Sequence, residues 1–138
     1  IQKPTFNLLV KPQLSKKSDD ELEEWLSTHP LEKSRKLFQG AARGPVNNEA
    51  LEEAKTQFEF VFKRMEAALT ETEWLSGSTY SLADIACAPI LDRLGQCEWL
   101  DLFSPYPKLS NWSEKIRERE AFQAMRPKDE QRLGNWDS

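Results

Sequence analysis

Few side chains in this sequence could perform acid–base, nucleophilic or metal chemistry. His29 is the single histidine, and it lies beside Pro30 at a predicted helix junction, where a structural or solvent-facing role is expected. Cys87 lies in an apolar run without a basic neighbour in sequence, which does not favour a reactive thiolate. Cys97 is ten residues further on, so one histidine and two separated cysteines give no metal-ligand spacing. We therefore predict no catalytic residue and no metal site in this chain.

Ser81 and Asp84 form the clearest local pattern. The Ser81 hydroxyl can accept the backbone N–H of Asp84, while the Asp84 carboxylate can accept the N–H of Ser81, which is the reciprocal arrangement of a capping box. The charge of Asp84 also suits the positive end of a helix dipole. We interpret Asp84 as a buried capping carboxylate rather than as a general base. The helix that follows, from Leu82 to near Gly95, is apolar on almost every side, which predicts a place inside the core.

The elements around this helix are also predicted to be helical. The chain has only three valines and no convincing alternation of apolar and polar residues, so strands are not expected. Ser18 and Glu21 form a second capping box, Asn47 or Asn48 begins a long helix that ends near Leu69, and Pro107 opens a later one. The long helix has an apolar stripe at spacings of three and four, consisting of Leu51, Ala54, Phe58, Val61, Met65 and Ala68.

Composition limits the classes of protein to which the chain can belong. Its 138 residues are enough for one domain with a core, and the net charge of −4 with interspersed cations gives no reason to expect a nucleic-acid partner. No run approaches the roughly 20 apolar residues of a membrane span. Two cysteines do not make a disulfide framework, which favours a reducing, cytoplasmic location. Because the chain begins at Ile1 rather than Met, we expect it to be a fragment of a longer protein.

Two segments resemble the C-terminal helical domain of bacterial-type cytosolic glutathione S-transferases (GSTs). The first is Trp-Leu-Ser-Gly at 74–77 with Tyr-Ser-Leu-Ala-Asp-Ile-Ala at 80–86 and Ala88-Pro89. The second runs from Tyr106-Pro107 through Trp112 to Ala121-Phe122, with Glu120 where family members often have proline. The resemblance implies an all-α fold, a GST C-terminal-like helical bundle over residues 1–126 that is truncated at its N-terminal end. Residues 127–138 are expected to form a polar tail.

The resemblance also implies a function. In the family, an N-terminal thioredoxin-like domain binds glutathione and provides the Tyr, Ser or Cys that activates its thiol, and we expect that domain to be absent from this chain. The helical domain provides the apolar wall of the electrophile site and part of the domain and homodimer interfaces. Phe6 and Trp136 lie in segments that line the substrate cleft in the family. The alternative is that Phe6 packs in the core and Trp136 packs within the tail. The parent is expected to conjugate glutathione to an apolar electrophile or to cleave a bond with it, and this chain alone is expected to be inactive.

Two alternatives stay open from the sequence. The same helical domain occurs as a non-enzymatic interaction module in translation factors and in tRNA-synthetase complexes. The second alternative is a specialised member of the family, such as a reductive dehalogenase or aryl-etherase relative. It stays open because Pro4-Thr5-Phe6 and Lys11-Pro12 loosely resemble those bacterial branches. The residues do not identify a substrate.

Overall fold

The computed structural model describes residues 1–128, except for the side chains of Ser34 and Leu37. The chain divides into two compact units, one built from Gln2–Leu51 and the other from Glu52–Pro127. Every regular element in this part of the chain is a helix, and no β-strand occurs among the described residues. The predicted all-α fold is therefore confirmed.

The N-terminal unit begins with one continuous helical segment of changing pitch. Helix α1 (Gln2–Pro4) leads into a π-helix (Thr5–Val10), and α2 (Lys11–Lys16) follows without a break. Helix α3 (Asp19–Thr28) starts at the predicted capping box, in which the Ser18 N–H donates to Glu21 Oε2 at 2.7 Å. The same backbone hydrogen bond is the main reason why the pKa of Glu21 is lowered. Helix α4 (Glu32–Ala42) completes this group.

The core of this unit is aliphatic with an aromatic margin. Leu14, Leu22, Leu26 and Ala42 are buried together, and four partly buried apolar side chains pack against them: Phe6, Val10, Trp25 and Phe38. Helix α4 contacts both α2 and α3, and α3 and α4 each contribute an apolar face to this core.

Two buried polar side chains connect the first helical segment to the loop before α5. Asn7 Oδ1 accepts the backbone N–H of Asn47 at 2.9 Å, and the Lys11 ammonium donates to the carbonyl of Pro45. Asn47 in turn caps α5 (Asn48–Glu71), since its Oδ1 accepts the N–H of Ala50 at 2.9 Å. Of the two predicted caps, the structure therefore selects Asn47.

The C-terminal unit contains most of α5 followed by four further helical elements. These are α6 (Leu82–Gln96), a 3₁₀ helix (Leu100–Phe103), α7 (Pro107–Glu118) and α8 (Glu120–Met125). Its core includes Phe62, Leu91, Leu94, Leu109, Trp112 and Ile116. The loop between α5 and α6 closes on itself through paired backbone hydrogen bonds between Trp74 and Gly77.

Two sequence-based burial predictions need correction. Helix α6 is not buried on all sides, because Leu82 is 81% exposed and Ile85 is 48% exposed. Asp84, Ala88 and Leu91 follow one another at spacings of four and three and form the buried side, whereas Leu82, Ile85 and Pro89 fall on another side of the helix. The predicted apolar stripe of α5 includes Val61, but Val61 is 46% exposed, since Phe62 rather than Val61 points into the core.

None of the described helices is long and apolar enough to cross a membrane.

Candidate functional site

The Asp84 carboxylate lies at the centre of the polar network of the C-terminal unit. Its Oδ2 accepts the backbone N–H and the hydroxyl of Ser81, both at 2.9 Å, and its Oδ1 accepts the N–H of Leu75 at 3.0 Å. The indole N–H of Trp112, on α7, donates to the same Oδ1 at 2.8 Å. Ser81 Oγ completes the capping box by accepting the first N–H groups of α6. One side chain thus connects the start of α6, the preceding loop and α7.

Asp84 is fully buried and ionised. Burial raises the pKa of its carboxyl. The hydrogen bonds from Leu75, Trp112 and Ser81 lower this pKa by more than burial raises it, so the pKa lies below its usual value. A carboxylate that accepts four hydrogen bonds and has a lowered pKa is a poor proton acceptor at neutral pH. The geometry therefore suits a structural role for Asp84 and does not suit a general base.

One side of α7 holds the loop that precedes α6. Trp112 and Lys115 are three residues apart on α7 and so face the same side of it, and Arg119 directly follows the last residue of the helix. The Lys115 ammonium lies 5.7 Å from the centre of the Trp74 ring and 3.1 Å from Glu73 Oε1. The Arg119 guanidinium lies 3.8 Å from the centre of the Tyr80 ring. These cation–π contacts reinforce the hydrogen bond that Trp112 makes with Asp84.

A second carboxylate, that of Glu66 on α5, occupies the N-terminus of α7. Its Oε1 accepts the N–H of Lys108 at 3.1 Å, and its Oε2 accepts the N–H of Leu109 at 2.7 Å. Free N–H groups at a helix start need an acceptor, and α7 has no side-chain cap of its own because Tyr106 stands at the N-cap position. No sequence pattern predicts this contact, since Glu66 is 41 residues before Pro107 and has the position of an ordinary charged residue on the solvated face of α5.

The cysteines have the environment of unreactive thiols. Burial raises the pKa of Cys87, and the nearby Asp84 charge raises it further. Burial also raises the pKa of Cys97, although Arg93 partly opposes this effect. Within residues 1–128, no group of three His, Cys, Asp or Glu side chains is arranged to hold a metal ion.

Phe6 belongs to an aromatic cluster of the N-terminal unit. Its ring stacks on Phe38 with 5.4 Å between ring centres, and Phe38 also contacts Trp25 and His29. His29 is further fixed because its Nδ1 accepts the N–H of Leu31 at 3.3 Å. Phe6 is only partly buried. A substrate contact at Phe6 stays a prediction, and Trp136 lies outside the described residues.

An open groove of about 300 Å³ lies between the last turn of α5 and α7. Leu69 and Trp112 form its apolar part, while Lys108, Asn111 and Lys115 line one wall. Trp112 therefore has one side in the groove and its indole N–H on Asp84. Most of the residues that line the groove are polar or charged.

Comparisons with known proteins agree with the helical architecture. Residues 8–120 match the family model described as "Glutathione S-transferase, C-terminal domain". The chain is 35% identical over 72 residues to the disulfide-bond oxidoreductase YfcG of Escherichia coli K12, which is 52% of this chain and 33% of that protein. It is 26% identical over 101 residues to the glutathione S-transferase GstB of the same strain, which is 71% of this chain and 48% of GstB. The chain thus spans a third to a half of the length of these relatives, and no solved structure matches it significantly.

Proposed function

Because the chain belongs to the family of glutathione S-transferase C-terminal domains, we propose that it is the helical part of a cytoplasmic enzyme that uses glutathione. In this proposal a thioredoxin-like domain on the same polypeptide binds glutathione and activates its thiol. The helical part then provides the apolar wall for the electrophile, with Phe6 and Trp136 as candidate contacts, and contributes to a homodimer. The match over residues 8–120 is the observation on which this proposal depends.

The exposed side of α6 supports a role in a domain interface. Leu82, Ile85 and Ile90 are 81%, 48% and 39% exposed, and they lie on one helix together with the exposed Pro89. A contiguous apolar surface of this kind is typical of a region that another protein surface covers. We assign this side of α6 to contact with the thioredoxin-like domain.

The absence of a catalytic group from the described residues supports the inactivity of the chain on its own. Asp84 is fully hydrogen-bonded, both thiols have raised pKa values, and His29 packs on Phe38. Neither the Asp84 carboxylate nor these thiols are suited to generating a glutathione thiolate at neutral pH. The helical part would therefore shape and position the site rather than perform the chemistry.

Turnover of glutathione with an aryl halide tests the proposal. The chain alone should give no turnover above the uncatalysed rate, whereas the chain fused to the part of GstB outside the matched region should give measurable turnover. Leu82→Asp should abolish turnover of the fusion without changing the helix content of the chain, because it places a charge in the proposed domain interface. Leu31→Asp is the matched control, since Leu31 is 62% exposed in the other unit.

Three outcomes would count against the proposal. Turnover by the chain alone would show a thiol-activating group that the structure does not reveal. An inactive but folded fusion would favour the non-enzymatic interaction module instead. Equal activity of the Leu82→Asp and Leu31→Asp fusions would remove the assignment of α6 to the domain interface.

A further inference from the structure

The first helical segment changes pitch beside the aromatic cluster of the N-terminal unit. The π-helix over Thr5–Val10 ends at Lys11, whose backbone N–H donates to the carbonyl of Phe6, five residues earlier. A turn closed in this way holds one more residue than an α turn. Pro12 gives a reason for the wider turn, since a proline ring clashes with the carbonyl four residues before it. Turns of this kind are rare and are frequent at functional sites.

The wider turn arranges the side chains of this segment in two rows. Four residues turn an α-helix through about 400°, so side chains four apart drift by about 40° at each step. A π turn rotates less per residue, which opposes that drift. One row packs in the core of the N-terminal unit and consists of Phe6, Val10 and Leu14. The other row consists of Asn7 and Lys11, and both of these side chains hydrogen-bond to the loop before α5.

Asn7 stabilises the changed pitch through both ends of its amide. The residue is only 6% exposed. Its Nδ2 donates to the Lys3 carbonyl at 3.0 Å, where a regular α-helix would use the backbone N–H of the same residue. Its Oδ1 accepts the N–H of Asn47 at 2.9 Å. Because Phe6 directly precedes Asn7, a change of pitch here would turn the Phe6 ring away from Phe38, on which it stacks with 5.4 Å between ring centres.

We propose that Asn7 is a positioning residue for the electrophile site and acts through Phe6. Asn7 holds the π turn, the π turn sets the direction of the Phe6 ring, and that direction sets which apolar electrophiles fit. The inference rests on the proposed function, in which Phe6 is a candidate substrate contact. It adds a residue that is too deeply buried to contact a ligand directly, so that its effect on binding is indirect.

The fusion with the part of GstB outside the matched region separates positioning from stability. Asn7→Leu keeps the branched shape of the side chain and removes both hydrogen bonds. It should raise the KM for an aryl halide by about tenfold, as a changed apolar contact does, and leave the KM for glutathione unchanged. A loss of stability alone would lower the amount of active enzyme but neither KM. Asn7→Asp is the second variant if Asn7→Leu does not fold, since it loses the donor to Lys3 and keeps the acceptor for Asn47.

A double variant shows whether Asn7 acts through Phe6. If it does, Phe6→Leu alone should raise the aryl-halide KM, and addition of Asn7→Leu should have little further effect, because coupled sites are not additive. Lys11→Met is the matched control, since it removes the other buried contact with the same loop. It should lower the free energy of unfolding without changing either KM.

Deletion of Leu9 tests the π turn directly. Removal of one residue converts a π turn into an α turn and leaves the flanking helical turns in register. The chain should therefore keep its helix content and unfold cooperatively in urea, and the fusion should show the same rise in aryl-halide KM as Asn7→Leu. Deletion of Gln13 in α2 is the contrast, because it rotates the two sides of a regular helix by about 100° and should disrupt the N-terminal unit.

The outcomes separate this inference from the proposed function. An active fusion whose KM values do not change in Asn7→Leu would overturn the positioning role and leave the proposed function in place. Additive effects of Phe6→Leu and Asn7→Leu would overturn the route through Phe6. A Leu9 deletion that unfolds the chain as the Gln13 deletion does would overturn the π turn as the element that sets the ring direction. A folded but inactive wild-type fusion would overturn the proposed function, and with it the site on which Asn7 acts.

Discussion

Replacement of Asp84 by alanine is the most direct test of how the C-terminal unit is held together. The substitution leaves four donors without their acceptor: the N–H groups of Leu75 and Ser81, the Ser81 hydroxyl and the Trp112 indole. Loss of a helix cap costs about 1 kcal/mol. Each buried donor left unsatisfied costs about 1–3 kcal/mol, although the hydroxyl can rotate to another acceptor. The lost cap at Ser81, together with the Leu75 N–H and the Trp112 indole as two further unsatisfied donors, should lower the free energy of unfolding of Asp84→Ala by about 3–7 kcal/mol.

The pH dependence of this effect follows from the direction of the pKa shift. Because the pKa of Asp84 is lower in the folded chain than in the unfolded chain, the ionised carboxylate stabilises the fold at neutral pH. That contribution is complete above the unfolded pKa of about 4 and is lost as the pH falls through the folded pKa. The difference in stability between the wild type and Asp84→Asn should therefore shrink as the pH is lowered below about 4.

Urea unfolding followed by circular dichroism measures both quantities. The m-value shows whether the variant still unfolds in one cooperative transition, so that the free energies can be compared. Asp101→Ala is the matched control, because it removes the same charge from an exposed position of the same unit. A loss below about 1 kcal/mol for Asp84→Ala would refute the reasoning, since it would mean that the four hydrogen bonds contribute no more than an ordinary cap.

Three other variants or treatments follow from the structure. Glu66→Ala should cost about 1–3 kcal/mol in the same unfolding assay, because it removes the acceptor for two N–H groups at the start of α7, and an unchanged midpoint would contradict this. Gly77→Ala should cost about 1–3 kcal/mol through its φ of +136°, whereas Gly40→Ala in helix α4 should not destabilise the chain. Cys87 and Cys97 should react slowly with iodoacetamide at neutral pH until urea unfolds the chain, and mass spectrometry showing rapid labelling of the folded chain would disprove their raised pKa values.

Much of the fold could be predicted because its signals are local. The Ser18–Glu21 box and the helix that starts at Pro107 each depend on residues within one turn, so the sequence contains all the necessary information. The partners of those helices are not local. Nothing in sequence connects the indole N–H of Trp112 with a carboxylate 28 residues earlier.

The burial of α6 shows the limit of composition as a guide. The apolar composition of a helix predicts that its sides are buried. It does not predict which of those sides are buried by other elements of the same chain. Ala88 and Leu91 are buried within this unit, whereas Leu82 remains 81% exposed. Composition therefore indicates an apolar helix, and only the tertiary structure shows which of its sides is buried within the unit.

The sequence by itself therefore determined the helical class, the family resemblance and the cap that starts α6, because helix periodicity and capping act over a few residues. Only the tertiary structure decided that Asp84 accepts hydrogen bonds from three segments, that Glu66 caps α7, and which sides of α5 and α6 stay exposed. These features depend on side chains brought together from distant parts of the chain. Their energy comes from the exclusion of water around paired polar groups, which no local pattern encodes.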